Sequence, residues 1–140
     1  MKPWHHGIRR SLRREGKVYL WDYGAIRDEC ARFENLVASH LLKTCHFWTD
    51  SGQREFELRY LRNKEKQEID FLIVRDGAPW MPVEVKSGDL SPSASWKALG
   101  PLLPCKQGLQ VVRKPVRHLH QVGGTRVLVI SAAEALSCLA

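Results

Sequence analysis

Between residues 67 and 86, two strand-like apolar runs, 68–74 and 81–86, carry charge at every second position over 68–71 and 83–86, and are separated by Arg75-Asp76-Gly77-Ala78-Pro79. A period of two predicts strands. Asp-Gly supplies residues that tolerate positive φ, so the two runs form an antiparallel hairpin. With the loop centred on Gly77, Asp70 lies opposite Glu84 and Glu68 opposite Lys86, and the four share one face. The other face carries Ile69, Phe71 and Ile73 against Val85, Val83 and Met81, all apolar. Nearer the turn, the charged face gives way to Leu72, Val74, Trp80 and Pro82. The pattern predicts a sheet with core on both faces and a charged notch at one end.

The rest of the chain supplies the surrounding elements. Lys17-Val18-Tyr19-Leu20-Trp21 is a short strand or extended segment. Cys30, Phe33, Leu36, Val37 and Leu41 recur at helical spacing and predict a helix from about 28 to 43, with Glu34 at the margin of its apolar stripe. Residues 46–49 are a candidate strand followed by an Asp50-Ser51-Gly52 turn, and 55–62 alternate as another strand. Ser91-Pro92-Ser93 opens a helix through about 103, with Pro92 in its first turn. A strand at 109–112, a basic loop at 113–124, a strand at 126–130 and a helix at 132–139 complete the chain. The order helix, three strands, helix, strand predicts an α/β fold: a mixed central sheet flanked by helices, with a right-handed crossover through the second helix.

Charge on these apolar strands needs a reason, because an unpaired buried carboxylate is costly. A divalent cation is one. Mg²⁺ (or Mn²⁺) takes oxygen ligands and keeps several waters, so Asp70 and Glu84, with the backbone carbonyl of Val85, suffice to hold it. Such a metal lowers the pKa of bound water. Lys86 beside that water can orient the attacking hydroxide or stabilise the transition state, and Glu34 can hold a second ion or an outer-shell water. Phosphodiester hydrolysis is the reaction this set suits, with Asp70, Glu84 and Lys86 as catalytic candidates. The alternative is two cross-strand ion pairs on an exposed sheet face. Leu72, Val74 and Trp80 on the same face argue for a covering layer, and so for a notch rather than an open surface.

Composition changes the picture modestly. The chain of 140 residues has 22 basic and 15 acidic residues, a net charge of +7, which suits an anionic partner such as DNA. The densest basic run, Arg9, Arg10, Arg13, Arg14 and Lys17, either contacts phosphate, with Arg13 and Arg14 as candidates, or serves as a linker. Residues 1–16 are accordingly set apart as a basic N-terminal arm, and 17–140 as the domain. No apolar run approaches the length that spans a bilayer, and the N-terminus lacks an apolar signal core, so a cytoplasmic protein is expected. The four cysteines are scattered singly, against a zinc ribbon. His118-x-His120 lacks a third ligand nearby and is taken as a surface pair. Most of the five tryptophans sit in apolar patterns, although one could stack on a base.

Asp70 followed by Glu84-Val85-Lys86, with Glu34 on a preceding helix, resembles the PD-(D/E)XK nuclease superfamily, the restriction-endonuclease-like fold with an αβββαβ core. Ile69 stands where that motif has proline. In this fold the second helix flanks the site, which makes Lys97 a candidate phosphate contact, beside the alternative of a solvated lysine. A resemblance over nearly the whole chain is carried by Lys17-Val18-Tyr19-Leu20-Trp21-Asp22, Arg32-Phe33-Glu34-Asn35-Leu36-Val37, Glu68-Ile69-Asp70-Phe71 and Val83-Glu84-Val85-Lys86-Ser87. These look like the C-terminal domain, of unknown function, of prokaryotic AAA-type ATPases. The resemblance implies an ATPase module as a partner in cis or in trans. No G-x-x-x-x-G-K-[ST] occurs, so no ATP site is carried over. Two functions are expected to compete: metal-dependent cleavage of DNA, and a non-catalytic module that binds nucleic acid or an ATPase partner.

Overall fold

The computed structural model describes residues 1–4 and 17–139. The elements are β1 (Lys2–Pro3), α1 (Glu29–Asp50), β2 (Phe56–Arg62), β3 (Glu68–Arg75), β4 (Ala78–Lys86), α2 (Ala94–Leu99), β5 (Gln107–Val112), β6 (Arg117–Val122), β7 (Thr125–Ser131) and α3 (Ala132–Leu139). Among the described residues, the seven strands form one mixed sheet in the order β1-β2-β3-β4-β5-β7-β6. The pairs β1–β2, β4–β5 and β5–β7 are parallel, and the others antiparallel. The expected mixed α/β layering is present.

Helix α1 starts where the sequence places it, with the Asp28 carboxylate capping the Ala31 N–H at 2.6 Å. It does not stop near 43. The segment 46–49, expected as a strand, is the last turns of this helix. His-Phe-Trp-Thr has strand-like composition, but Leu41, Cys45 and Trp48 extend the helical stripe, and Trp48 packs on Phe56 and Trp80 with ring centroids at 5.0 and 5.9 Å. Tertiary burial overrides local propensity here. Gly52 at φ +74 follows the C-cap.

The hairpin turn is Asp76-Gly77, with φ of 50° and 79°, the left-handed pair that a two-residue turn needs. Arg75 therefore faces Ala78, and a bulge at Trp80 then shifts the register so that Ile73, Leu72 and Phe71 face Met81, Pro82 and Val83. The expected register holds for these pairs because the bulge restores it. The bulge also moves Trp80 to the α1 side, against the expectation that it shares a face with Leu72 and Val74. Ile69 departs too: it packs with Leu72, Val74, Trp96 and Leu99, while Phe71, Ile73, Val83 and Val85 pack with α1.

Elsewhere α2 is shorter than expected. Its N-cap is Ser93, Pro92 lies before the cap rather than in the first turn, and Pro101 redirects the chain into a 3₁₀ turn, Gly100–Leu102. Part of the expected basic loop at 113–124 is the edge strand β6, whose Arg-His-Leu-His-Gln-Val is too polar on both faces to read as a buried strand. In the expected N-terminal arm, Lys2–Pro3 forms a strand beside β2. Arg13 and Arg14 lie outside the described residues. Residues 17–20 belong to no helix or strand ladder and are fastened to α1 by Asn35, whose side chain accepts the Leu20 N–H at 2.8 Å and donates to the Leu20 carbonyl at 2.5 Å. Asn35 is buried, so this doubly bonded strap satisfies both ends of its amide.

Candidate functional site: four carboxylates and two ammoniums

The β3–β4 ladder ends at Phe71 and Val83. Beyond that pair the strands exchange side chain for main chain. Asp70 Oδ2 accepts the Val85 N–H at 2.9 Å, and Glu84 Oε2 accepts the Asp70 N–H at 3.3 Å. Each carboxylate thus takes a donor from the opposite strand where the ladder gives way, but the expected shared face is not kept: Glu84 turns to Ser93 on the α2 side and Asp70 toward Lys17 on the strap.

The predicted opposition of Glu68 and Lys86 does not form. Glu68 turns to Lys17 and, at 3.7 Å, to Arg62, whereas Lys86 Nζ lies 3.0 Å from Glu84 Oε1 on its own strand. Loss of the ladder removes the register that would have set them face to face.

Glu84 is 1% exposed, on the side of the sheet covered by α2. The Ser93 hydroxyl, at the α2 N-cap, donates to Glu84 Oε1 at 3.1 Å. Ser93 is itself placed by Gln110, a fully buried residue of β5. Gln110 Oε1 accepts the Ser93 N–H at 2.9 Å and the Trp96 indole N–H at 3.1 Å, and its amide donates to the Ser91 carbonyl at 2.7 Å. Neither Ser93 nor Gln110 was singled out from the sequence. The available signal was a lone polar residue in the apolar run Leu109-Gln110-Val111-Val112, where burial demands partners.

On the α1 side, Glu34 Oε1 accepts the Tyr19 hydroxyl at 2.8 Å and lies 3.4 Å from Lys17 Nζ. The same ammonium lies 3.6 Å from Asp70 Oδ1 and pairs with Glu68. The strap that carries Lys17 and Tyr19 therefore belongs to the site. The expected set Asp70, Glu84, Lys86 and Glu34 comes together, and the Val85 backbone joins it through its N–H. Lys97 is exposed on α2, four residues after Ser93.

The electrostatics are those of crowded acids. Burial, then the charges of Glu84 and Glu34, push the Asp70 carboxyl up to about 7, against the opposing Val85 hydrogen bond and the Lys17 charge. Burial acts to lower Lys86, but its bond to Glu84 and the charges of Glu84, Asp70 and Glu34 outweigh it and hold the ammonium above its ordinary range. Lys17 is raised in the same way, with burial opposed by Glu68, Asp70 and Glu34. Burial and the adjacent acids raise the Tyr19 phenol as well. Both lysines are therefore fixed positive charges near neutral pH.

Among the described residues, no three His, Cys, Asp or Glu side chains form a ready metal cage. The donors for a cation are two carboxylates and backbone oxygen, the sparse set that suits a hydrated Mg²⁺. The set fits such an ion on a further ground: at Asp70, burial and the charges of Glu84 and Glu34 outweigh the Val85 N–H and the Lys17 ammonium, so further positive charge beside it is favourable. His118 and His120, with ring nitrogens 3.1 Å apart on β6, are an exposed surface pair. Of the tryptophans, Trp96 is fully buried, while Trp21, on the strap, is 76% exposed. Among the described residues, no helix is long and apolar enough to cross a membrane.

Comparison with curated proteins and with solved structures finds no match. A protein-family comparison matches residues 30–131, from the first turn of α1 to the end of β7 and including both hairpin acids, to the family described as Domain of unknown function (DUF4143), and the chain belongs to that family.

Proposed function

We propose that the acid–lysine cluster is the site of a metal-dependent nuclease acting on DNA, in a restriction-endonuclease-like domain of the PD-(D/E)XK type. The observation that carries this reading is the end of the β3–β4 ladder, where two carboxylates take main-chain donors from the opposite strand and the charge of Glu84 opposes that of Asp70. The helix, three strands, helix, strand order supports the fold assignment. The resemblance to C-terminal domains of AAA-type ATPases supports an ATPase module as partner, in cis or in trans.

In this reading Asp70 and Glu84, with the Val85 carbonyl, hold one Mg²⁺ or Mn²⁺. When bound, the ion supplies Lewis-acid polarisation and a water of lowered pKa. The chain's own groups do the rest. Lys86 remains an ammonium, so it offers positive charge to the phosphoryl oxygens and orients the attacking water rather than accepting its proton. The Ser93 hydroxyl fixes the rotamer of Glu84, and Gln110 fixes Ser93. Glu34 serves an outer-shell water. Lys97 and the exposed Trp21 supply a phosphate contact and a stacking face for the nucleic acid.

A second reading is favoured by one observation. The Lys17 ammonium already neutralises part of the cluster, as in a site that binds nucleic acid or a partner without cutting. The experiment that separates the two incubates plasmid and single-stranded DNA with the purified protein and Mg²⁺ or Mn²⁺, beside Asp70→Ala and Lys86→Ala variants. Cleavage that needs metal and disappears in both variants supports the nuclease. Cleavage that persists in both removes it, and salt-sensitive binding without cleavage supports the binding module.

A further inference from the structure

Lys17 has no role in the metal chemistry described above, yet it is the most heavily engaged side chain of the cluster. Its ammonium contacts Glu34, Glu68 and Asp70 together. It arrives from the strap rather than from the sheet, and the strap is tied down by the Asn35 amide on both sides of Leu20 and by the Tyr19 hydroxyl on Glu34. A lysine pinned at both the backbone and its head group is a fixture of the site, not a mobile surface charge.

We infer that Lys17 takes the place of a second metal ion, so that the site binds one divalent cation rather than two. This inference rests on the metal-site reading above. The Asp70 carboxylate has two oxygens, one turned to the Val85 N–H and the other toward Lys17. A second ion on the α1 side would need that outer oxygen together with Glu34 and Glu68, and these are the acids that surround the ammonium. An oxygen-bound Mg²⁺ requires ligands at about 2.0–2.1 Å and cannot share them with an ammonium lodged in their midst. Charge balance points the same way. Glu34, Glu68, Asp70 and Glu84 against Lys17 and Lys86 leave two negative charges, the complement of one divalent ion. Arg62, half exposed at 3.7 Å from Glu68, can only reduce this remainder, which falls short of the four negative charges that two divalent ions would balance. Glu34, which the sequence left open as a ligand of a second ion, is thereby assigned to Lys17 and Tyr19.

The test counts bound Mn²⁺ per chain, by titration calorimetry and by the loss of the free-Mn²⁺ electron paramagnetic resonance signal, in the wild type and in Lys17→Gln, Lys17→Met and Lys17→Arg. Near-ultraviolet circular dichroism confirms that each variant is folded. The wild type and Lys17→Arg bind one ion. Lys17→Gln and Lys17→Met bind a second, weaker one as Glu34, Glu68 and Asp70 close on it. Two ions in the wild type overturn the inference. One ion in the wild type and still one in both neutral variants overturns it too, while leaving the metal site itself standing. No ion in the wild type removes the metal site and the inference together.

Discussion

Replacing Asp70 by Asn tests the strain at the heart of the cluster. Asn keeps the shape of the side chain and an oxygen for the Val85 N–H, but removes the charge that burial, Glu84 and Glu34 oppose. The folded-state pKa of about 7, against an ordinary 3.8, sets the scale. At ~1.36 kcal/mol per unit, ionising Asp70 in the folded protein costs up to ~4 kcal/mol. The pKa is raised on folding, so this contribution to stability is complete below about pH 4 and is lost as pH rises toward 7. In metal-free buffer at pH 8, Asp70→Asn should be more stable than wild type. That figure is already net of the Val85 hydrogen bond and the Lys17 charge, and residual solvent screening reduces it to ~2 kcal/mol, a melting temperature higher by about 8 °C for a chain of this size. Melts followed by circular dichroism from pH 5 to pH 9 should show the gap widening up to about pH 7 and then levelling. Mg²⁺ should raise the wild-type melting temperature at pH 8 and leave that of the variant unchanged. A variant less stable than wild type at pH 8, or a gap that does not vary with pH, refutes the reasoning.

The supporting shell makes its own predictions. Gly108 has no room for a Cβ, which would meet the Trp96 ring at 2.4 Å and the Pro82 side chain at 3.1 Å, so Gly108→Ala should cost ~2 kcal/mol or more by displacing the indole from Gln110, read as a lower denaturant midpoint. Gln110→Leu strands the Trp96 indole N–H, the Ser93 N–H and the Ser91 carbonyl, and should destabilise the fold by ~3 kcal/mol in urea unfolding. Asn35→Ala releases the strap at Leu20. Hydrogen exchange at the Leu20 amide should quicken about tenfold, for the loss of a bond of ~1.4 kcal/mol, with little change in the β3 amides.

Much of the hairpin was legible because its information is local. Asp76-Gly77 dictates the turn, and centring the loop on Gly77 gives the pairing of 71–73 with 81–83, which the bulge at Trp80 restores. What the pattern did not carry was long-range. The Trp80 bulge exists because Trp80 is claimed by Trp48 and Phe56, residues far away in sequence. The continuation of α1 through 46–49 has the same cause. The acids Asp70 and Glu84 stood out as charge in apolar strands, but alternation alone implied cross-strand pairing of Glu68 with Lys86. It contained nothing to say that the acids would take over main-chain donors and end the ladder first. Lys17 and Tyr19 looked like members of a short extended segment, and only the packing of that segment against Glu34 and Asn35 brings them to the site. Ser93 and Gln110 illustrate the general difficulty: their importance lies in partners supplied by other elements.

The central claim is that Asp70 and Glu84 grip a single cation at the point where β3 and β4 part. A crystal soaked in Mn²⁺, measured at a wavelength where manganese scatters anomalously, tests it most directly. The account predicts one anomalous peak bounded by the Asp70 and Glu84 carboxylates and the Val85 carbonyl, with the Lys17 ammonium still among Glu34, Glu68 and Asp70. Both acids left on their main-chain donors with no peak between them, or manganese seated elsewhere on the protein, would contradict it.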